Sequence, residues 1–130
     1  CIRDRAHILR AAEESIAYQV NDLILEMRND GRVAVNELRA DGGATRDRFL
    51  MQFQADILGM PVRVADIEEV SARGAAFVAG LASGVWRDRE QLLTLRRDRD
   101  EYHPRMAPDE RERLIAGWKS AVQQTLARRV

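Results

Sequence analysis

Two short runs of strand character lie between stretches of helical period, and this alternation limits the chain to a layered fold more firmly than any single residue does. From about Ala6 to Arg28, Leu9, Ala12, Ile16, Val20, Leu23 and Met27 recur at helical steps. They predict an amphipathic helix with those residues on its buried face. Asn29-Asp30-Gly31 ends it. Val33 to Ala40 reads as a short strand with Val33, Val35 and Leu38 inward, and Asp41-Gly42-Gly43 breaks it. A helix from about Ala44 to Leu58 follows, with Leu50, Phe53 and Ile57 on its apolar face and Gly59 as its cap. Pro61 to Ala65 reads as a second strand, since proline is tolerated at a strand's first position.

Ser71 to Val85 predicts a third helix, N-capped by Ser71 and rich in small residues, so that close packing or a ligand would offset its two glycines. A short charged helix covers Arg87 to Leu95, and Arg96 to Pro108 reads as a loop. The last helix runs from Asp109 towards Arg128, with Asp109 and Glu112 at capping-box spacing and Leu114, Trp118, Val122 and Leu126 as its buried stripe. Alternating elements of this kind favour an α/β fold over a helical bundle.

One segment points to chemistry. In Leu38-Arg39-Ala40-Asp41-Gly42-Gly43-Ala44, a strand ends in two glycines that open a helix. Glycine lets a ligand approach the backbone, and the first amides of the next helix form a partly positive site for a phosphate or polar ribose atoms. Ligands of open α/β sheets gather at the carboxyl ends of strands. Read alone, the same residues are equally a tight turn. They are neither a Walker A loop nor G-x-G-x-x-G.

That run, followed by Phe49-Leu50-Met51-Gln52-Phe53-Gln54-Ala55-Asp56-Ile57-Leu58-Gly59, resembles the signature near the C-terminus of glycerol kinases in the FGGY carbohydrate-kinase family. Glu14 to Asp22, Gly74 to Trp86 and Gly117 to Val122 are similar to theirs as well, in the same order. The resemblance implies the distal part of the C-terminal actin-like (ribonuclease-H-like) ATPase domain, with residues 1–130 as the C-terminal part of domain II. It implies ATP or ADP as the nucleotide and glycerol or a related polyol as the substrate of the full-length protein. In that reading the backbone at Gly42 and Gly43 contacts the nucleotide, and Asp47 stands where an asparagine usually meets the adenine end. An ionised carboxylate accepts a hydrogen bond but donates none, so Asp47 bears on affinity and base selectivity. Arg73 stands where the family usually has an apolar residue, and Ala40 replaces a common valine.

The family's catalytic aspartate, its glycerol-gripping residues and its Mg²⁺ and β/γ-phosphate loops have no counterpart here. No catalytic or metal residue is therefore assigned, and Mg²⁺ is expected only in the full-length enzyme. His7 and His103 read as solvated surface residues, Asp66, Glu68 and Glu69 as favourable charges at a helix start, and Trp86 and Trp118 as core or inter-helix contacts. Balanced charge, 21 Lys+Arg against 21 Asp+Glu, provides no field for nucleic acid or a membrane surface. The lone Cys1 permits no internal disulfide and fits a reducing, cytoplasmic setting. Surface that a missing half would cover predicts self-association or limited solubility, and a homo-oligomer is expected. The competing readings are a non-catalytic assembly module of the same fold and another actin-like ATPase.

Overall fold

The computed structural model describes residues 4–31, 34–67, 69–95 and 97–127, so expectations resting on Cys1, Val33, Glu68, Arg96 and Arg128 lie outside the described residues. Along the chain come α1 (Arg5–Asn29), β1 (Leu38–Ala40), a 3₁₀ turn (Gly43–Arg46), α2 (Arg48–Leu58) and β2 (Val62–Ala65). Then follow α3 (Val70–Ala82), α4 (Arg89–Thr94), β3 (Asp98–Tyr102) and α5 (Pro108–Ala127). The sheet order is β1-β2-β3, with β1 parallel to β2 and β3 antiparallel to it. The α/β class is as expected.

Helix α2 organises the core. Leu50, Met51, Ala55 and Leu58 pack with Val62 and Val64 of the sheet and with Ile24 of α1. Phe53 and Ile57 point into a second cluster with Ala17 and Tyr18, closed by Leu114, Ile115 and Trp118 of α5. Ile57, Val62 and Val64 are fully buried. Trp118 stacks on Tyr18 at 5.3 Å and donates its indole N–H to Asp22 Oδ2 at 2.7 Å, which ties the last helix to the first. Arg111 donates to the Ile57 carbonyl at 2.7 Å. Asp56 Oδ1 accepts from the Arg105 and Met106 amides, at 2.6 and 3.2 Å, and from Gln52 Nε2 at 3.1 Å, fastening the segment ahead of α5.

The structure corrects several expectations. The buried face of α1 is Ala17, Tyr18, Asn21 and Ile24, whereas Leu9, Ile16, Leu23 and Met27 are exposed. Both sides of this helix are apolar, and α2 covers one of them. Strand β1 begins only at Leu38, whose amide donates to the Pro61 carbonyl at 2.9 Å. Pro61 has no N–H with which to extend the ladder. Residues 98–102, expected within a loop, form β3. Helix α3 starts at Val70, so Ser71 lies inside it and is not the cap. Helix α5 starts at Pro108, which places Asp109 within its first turn instead of at a cap. Leu126, expected in the buried stripe, is exposed.

Of the two α3 glycines, only Gly80 is required by packing. A Cβ there would collide with the Trp86 ring, while one at Gly74 would meet nothing within 4 Å. Trp86 folds back over Gly80 and meets Phe77 edge-on at 5.2 Å, and the Val85 amide donates to the Gly80 carbonyl at 2.8 Å. Gly80→Ala should therefore lower stability by about 1–3 kcal/mol, as overpacking does, and shift Trp fluorescence to the red. An unchanged denaturation midpoint would refute this.

Burial, and then the charge of Glu14, raises the Tyr18 phenol above its ordinary 10.0. Both folded and unfolded states keep it neutral below that value. As pH rises beyond it, the unfolded chain ionises first, and stability is lost through the folded pKa. Alkaline unfolding curves for Tyr18→Phe should lack this component, and identical slopes in both proteins would count against it.

Candidate functional site

The chain leaves the carboxyl end of β1 through Asp41 and turns at Gly42, whose φ of 84° and ψ of 179° belong to a region essentially restricted to glycine. The Thr45 amide donates to the Gly42 carbonyl at 3.1 Å, and the buried Thr45 hydroxyl donates to the same oxygen at 2.7 Å. The Asp47 amide donates to Ala44 O at 3.2 Å. Neither the Gly43 nor the Ala44 amide has a backbone acceptor outside its own 3₁₀ turn among the described residues. Gly43 itself is exposed, its φ is not positive, and a Cβ there would meet nothing within 4 Å.

The expected continuous helix from Ala44 does not form. The 3₁₀ turn ends at Arg46, Asp47 is extended at ψ 101°, and α2 starts at Arg48. Asp47 Oδ1 accepts from the Leu50 amide at 3.1 Å and caps α2. The three predicted positions Gly42, Gly43 and Asp47 thus share one turn, but Asp47 already has a structural task in the protein alone. Helix caps of this kind are detectable from a short polar residue one place before the first helical residue.

The carboxyl ends of β1 and β2 also border a shallow cavity of about 100 Å³ lined by Asp41, Ala65, Val70, Arg73 and Asp98 among others. Arg73 spans its wall and donates to Asp66 Oδ1 at 2.6 Å. On the same far side of the sheet, Arg39, Arg63 and Glu101 align across the three strands. The two arginines share the carboxylates of Glu37 and Asp98: Arg39 at 3.0 and 2.8 Å, Arg63 at 3.1 and 3.4 Å. The Arg63 Nε contact with Glu37 is an ion pair without hydrogen-bond alignment. His7 lies in the first turn of α1, bonded to the N-cap residue Asp4, and His103 lies 3.4 Å from Glu101, both on the surface. Among the described residues no group of His, Cys, Asp or Glu is arranged to hold a metal, and no helix is long and apolar enough to cross a membrane.

The C-terminal-domain model of the FGGY family of carbohydrate kinases matches residues 3–83. The chain belongs to this family. It is 52% identical over 122 residues to glycerol kinase 1 of Thermotoga maritima, covering 94% of this chain and 25% of that protein. With glycerol kinase of Geobacillus sp. it shares 45% over 123 residues, covering 95% and 25%. The crystal structure of Plasmodium falciparum glycerol kinase with ADP superposes with a TM-score of 0.86 at 35% identity, over 96% of this chain and 25% of that one. Xylulose kinase from Rhodospirillum rubrum gives 0.76 at 28%, over 97% and 26%. The chain thus spans about a quarter of the length of the curated relatives it matches. The FGGY kinase fold read from the sequence holds.

The Asp47 cap generates a prediction about stability. Asp47→Asn should leave thermal stability nearly unchanged, because both residues cap well, while Asp47→Ala should lose about 1 kcal/mol. Equal melting temperatures for all three proteins would show that the cap contributes nothing.

Proposed function

We propose that the protein carrying this chain is an ATP-dependent glycerol kinase, transferring a phosphoryl group to a glycerol hydroxyl, and that the turn at Gly42, Gly43 and Asp47 receives the adenine nucleotide. One observation carries the local part of this reading. Among the described residues nothing requires glycine at residue 43: its φ is not positive, and no atom lies within 4 Å of where a Cβ would stand. A bare backbone facing solvent at the carboxyl end of a parallel strand suits a ligand that must come close. The amides of Gly43 and Ala44, without backbone acceptors outside the turn, are donors for nucleotide oxygens. The similarity to a kinase whose structure holds ADP supports the same assignment.

The two large relatives' names support glycerol as the acceptor. Residues 1–130 then form the distal part of the second domain, and the remaining chain covers the exposed apolar side of α1 that bears Leu9, Ile16 and Leu23. The same face, if left open, favours self-association. Phosphoryl transfer draws on positioning and on charge stabilisation together. This segment supplies positioning of the nucleotide, while Mg²⁺ and the acceptor are held elsewhere.

An amide NMR titration of the chain with ADP tests the site. Shifts centred on Gly42, Gly43 and Asp47 are expected, and Gly43→Trp should abolish them without unfolding the protein. Shifts that survive in Gly43→Trp would place the nucleotide elsewhere. Because the acceptor site lies outside these residues, the isolated chain should release no ADP from ATP and glycerol above the Gly43→Trp background. Clear glycerol-dependent turnover would overturn that division of labour.

A further inference from the structure

Strand β3 carries an irregularity beside the glycine turn. Val64 pairs with Asp100 and Ala65 with Asp98, so Arg99 is the extra residue of a β-bulge. Bulges take a residue out of the regular alternation and re-aim its side chain, often beside a functional site. Here the bulged side chain crosses to the turn. Arg99 Nη2 donates to the Thr45 carbonyl at 3.0 Å and lies 3.4 Å from Thr45 Oγ1. Asp100 Oδ2 holds Arg99 Nε at 2.9 Å and orients the guanidinium. Thr45 is buried, and its hydroxyl in turn holds the Gly42 carbonyl at 2.7 Å.

We propose that Arg99 is a positioning residue for nucleotide binding: through Thr45 it fixes the Gly42–Gly43 backbone in the conformation that presents its amides. The inference rests on the reading of this turn as the nucleotide site. Gly42 has no Cβ to restrain it and sits in a conformation glycine leaves easily, so the turn depends on outside anchoring. The Arg99–Thr45–Gly42 chain is that anchor, reaching it from a strand 54 residues further along the sequence. A fixed backbone binds more tightly because less freedom is lost on association.

The test uses the full-length protein bearing this chain, with Arg99→Leu compared against Arg87→Leu. The second variant removes the same charge from an exposed arginine whose contact is with its neighbour Asp88. ADP binding is measured by calorimetry, ATP kinetics at saturating glycerol, and hydrogen exchange of the 42–46 amides without nucleotide. Arg99→Leu should weaken ADP binding roughly tenfold, the scale of one charge-assisted hydrogen bond. It should raise KM for ATP more than it lowers kcat and speed exchange at 42–46, while Arg87→Leu changes none of these. If the leucine variant fails to fold, Arg99→Gln carries the same expectations. Unchanged affinity, an equal loss in Arg87→Leu, or weaker binding with unchanged exchange would overturn the positioning role while leaving the nucleotide site intact. If the unaltered protein binds no ADP, the site assignment itself falls, and the inference with it.

Discussion

Helix α2 presents apolar side chains on two sides, and each side must be covered by a different part of the chain. Leu50, Met51, Ala55 and Leu58 close against the sheet and Ile24, while Phe53 and Ile57 close against Tyr18 and the start of α5. Burial of this one short helix therefore fixes the relative positions of α1, the sheet and α5. It also holds the Asp47 end of the glycine turn, because Asp47 is the α2 cap, while the other end leaves β1 through Asp41. The candidate site inherits its rigidity from the hydrophobic core beneath it.

Electrostatics has a different task here. The far side of the sheet is a charged lattice in which Glu37 and Asp98 each hold both Arg39 and Arg63. Exposed pairs of this sort contribute little individually. Their joint effect is to let two like charges stand opposite each other on neighbouring strands, which would otherwise be unfavourable. Arg73 is accommodated in the same way, paired with Asp66.

Much of this was legible in the sequence. The alternation in Val62 to Ala65, the Gly59 cap and the glycine pair after β1 are local signals, and local signals survive folding. What was missed depends on partners distant in sequence. Periodicity found an apolar stripe on α1 but could not tell that Tyr18 and Asn21, not Leu9 and Leu23, face α2. Strand β3 reads Asp-Arg-Asp-Glu-Tyr, without a single β-branched residue, because it is an edge strand that contributes charge and one bulge. Asp47 was identified as a site position from family resemblance, whereas its capping role follows from the residues alone. The link from Arg99 to Thr45 leaves no trace in either local segment.

The carboxylate of Asp56 gathers two consecutive backbone amides and a glutamine side chain on one oxygen. The segment from His103 to Ala107 has no ladder or helix of its own, yet these bonds, with the Gln52 bond to the His103 carbonyl at 2.8 Å, hold it at both ends. A connection held in this way behaves as a rigid coupling. The first turn of α5 is thereby tied to α2 through the connecting segment itself, in addition to the apolar contacts between the two helices.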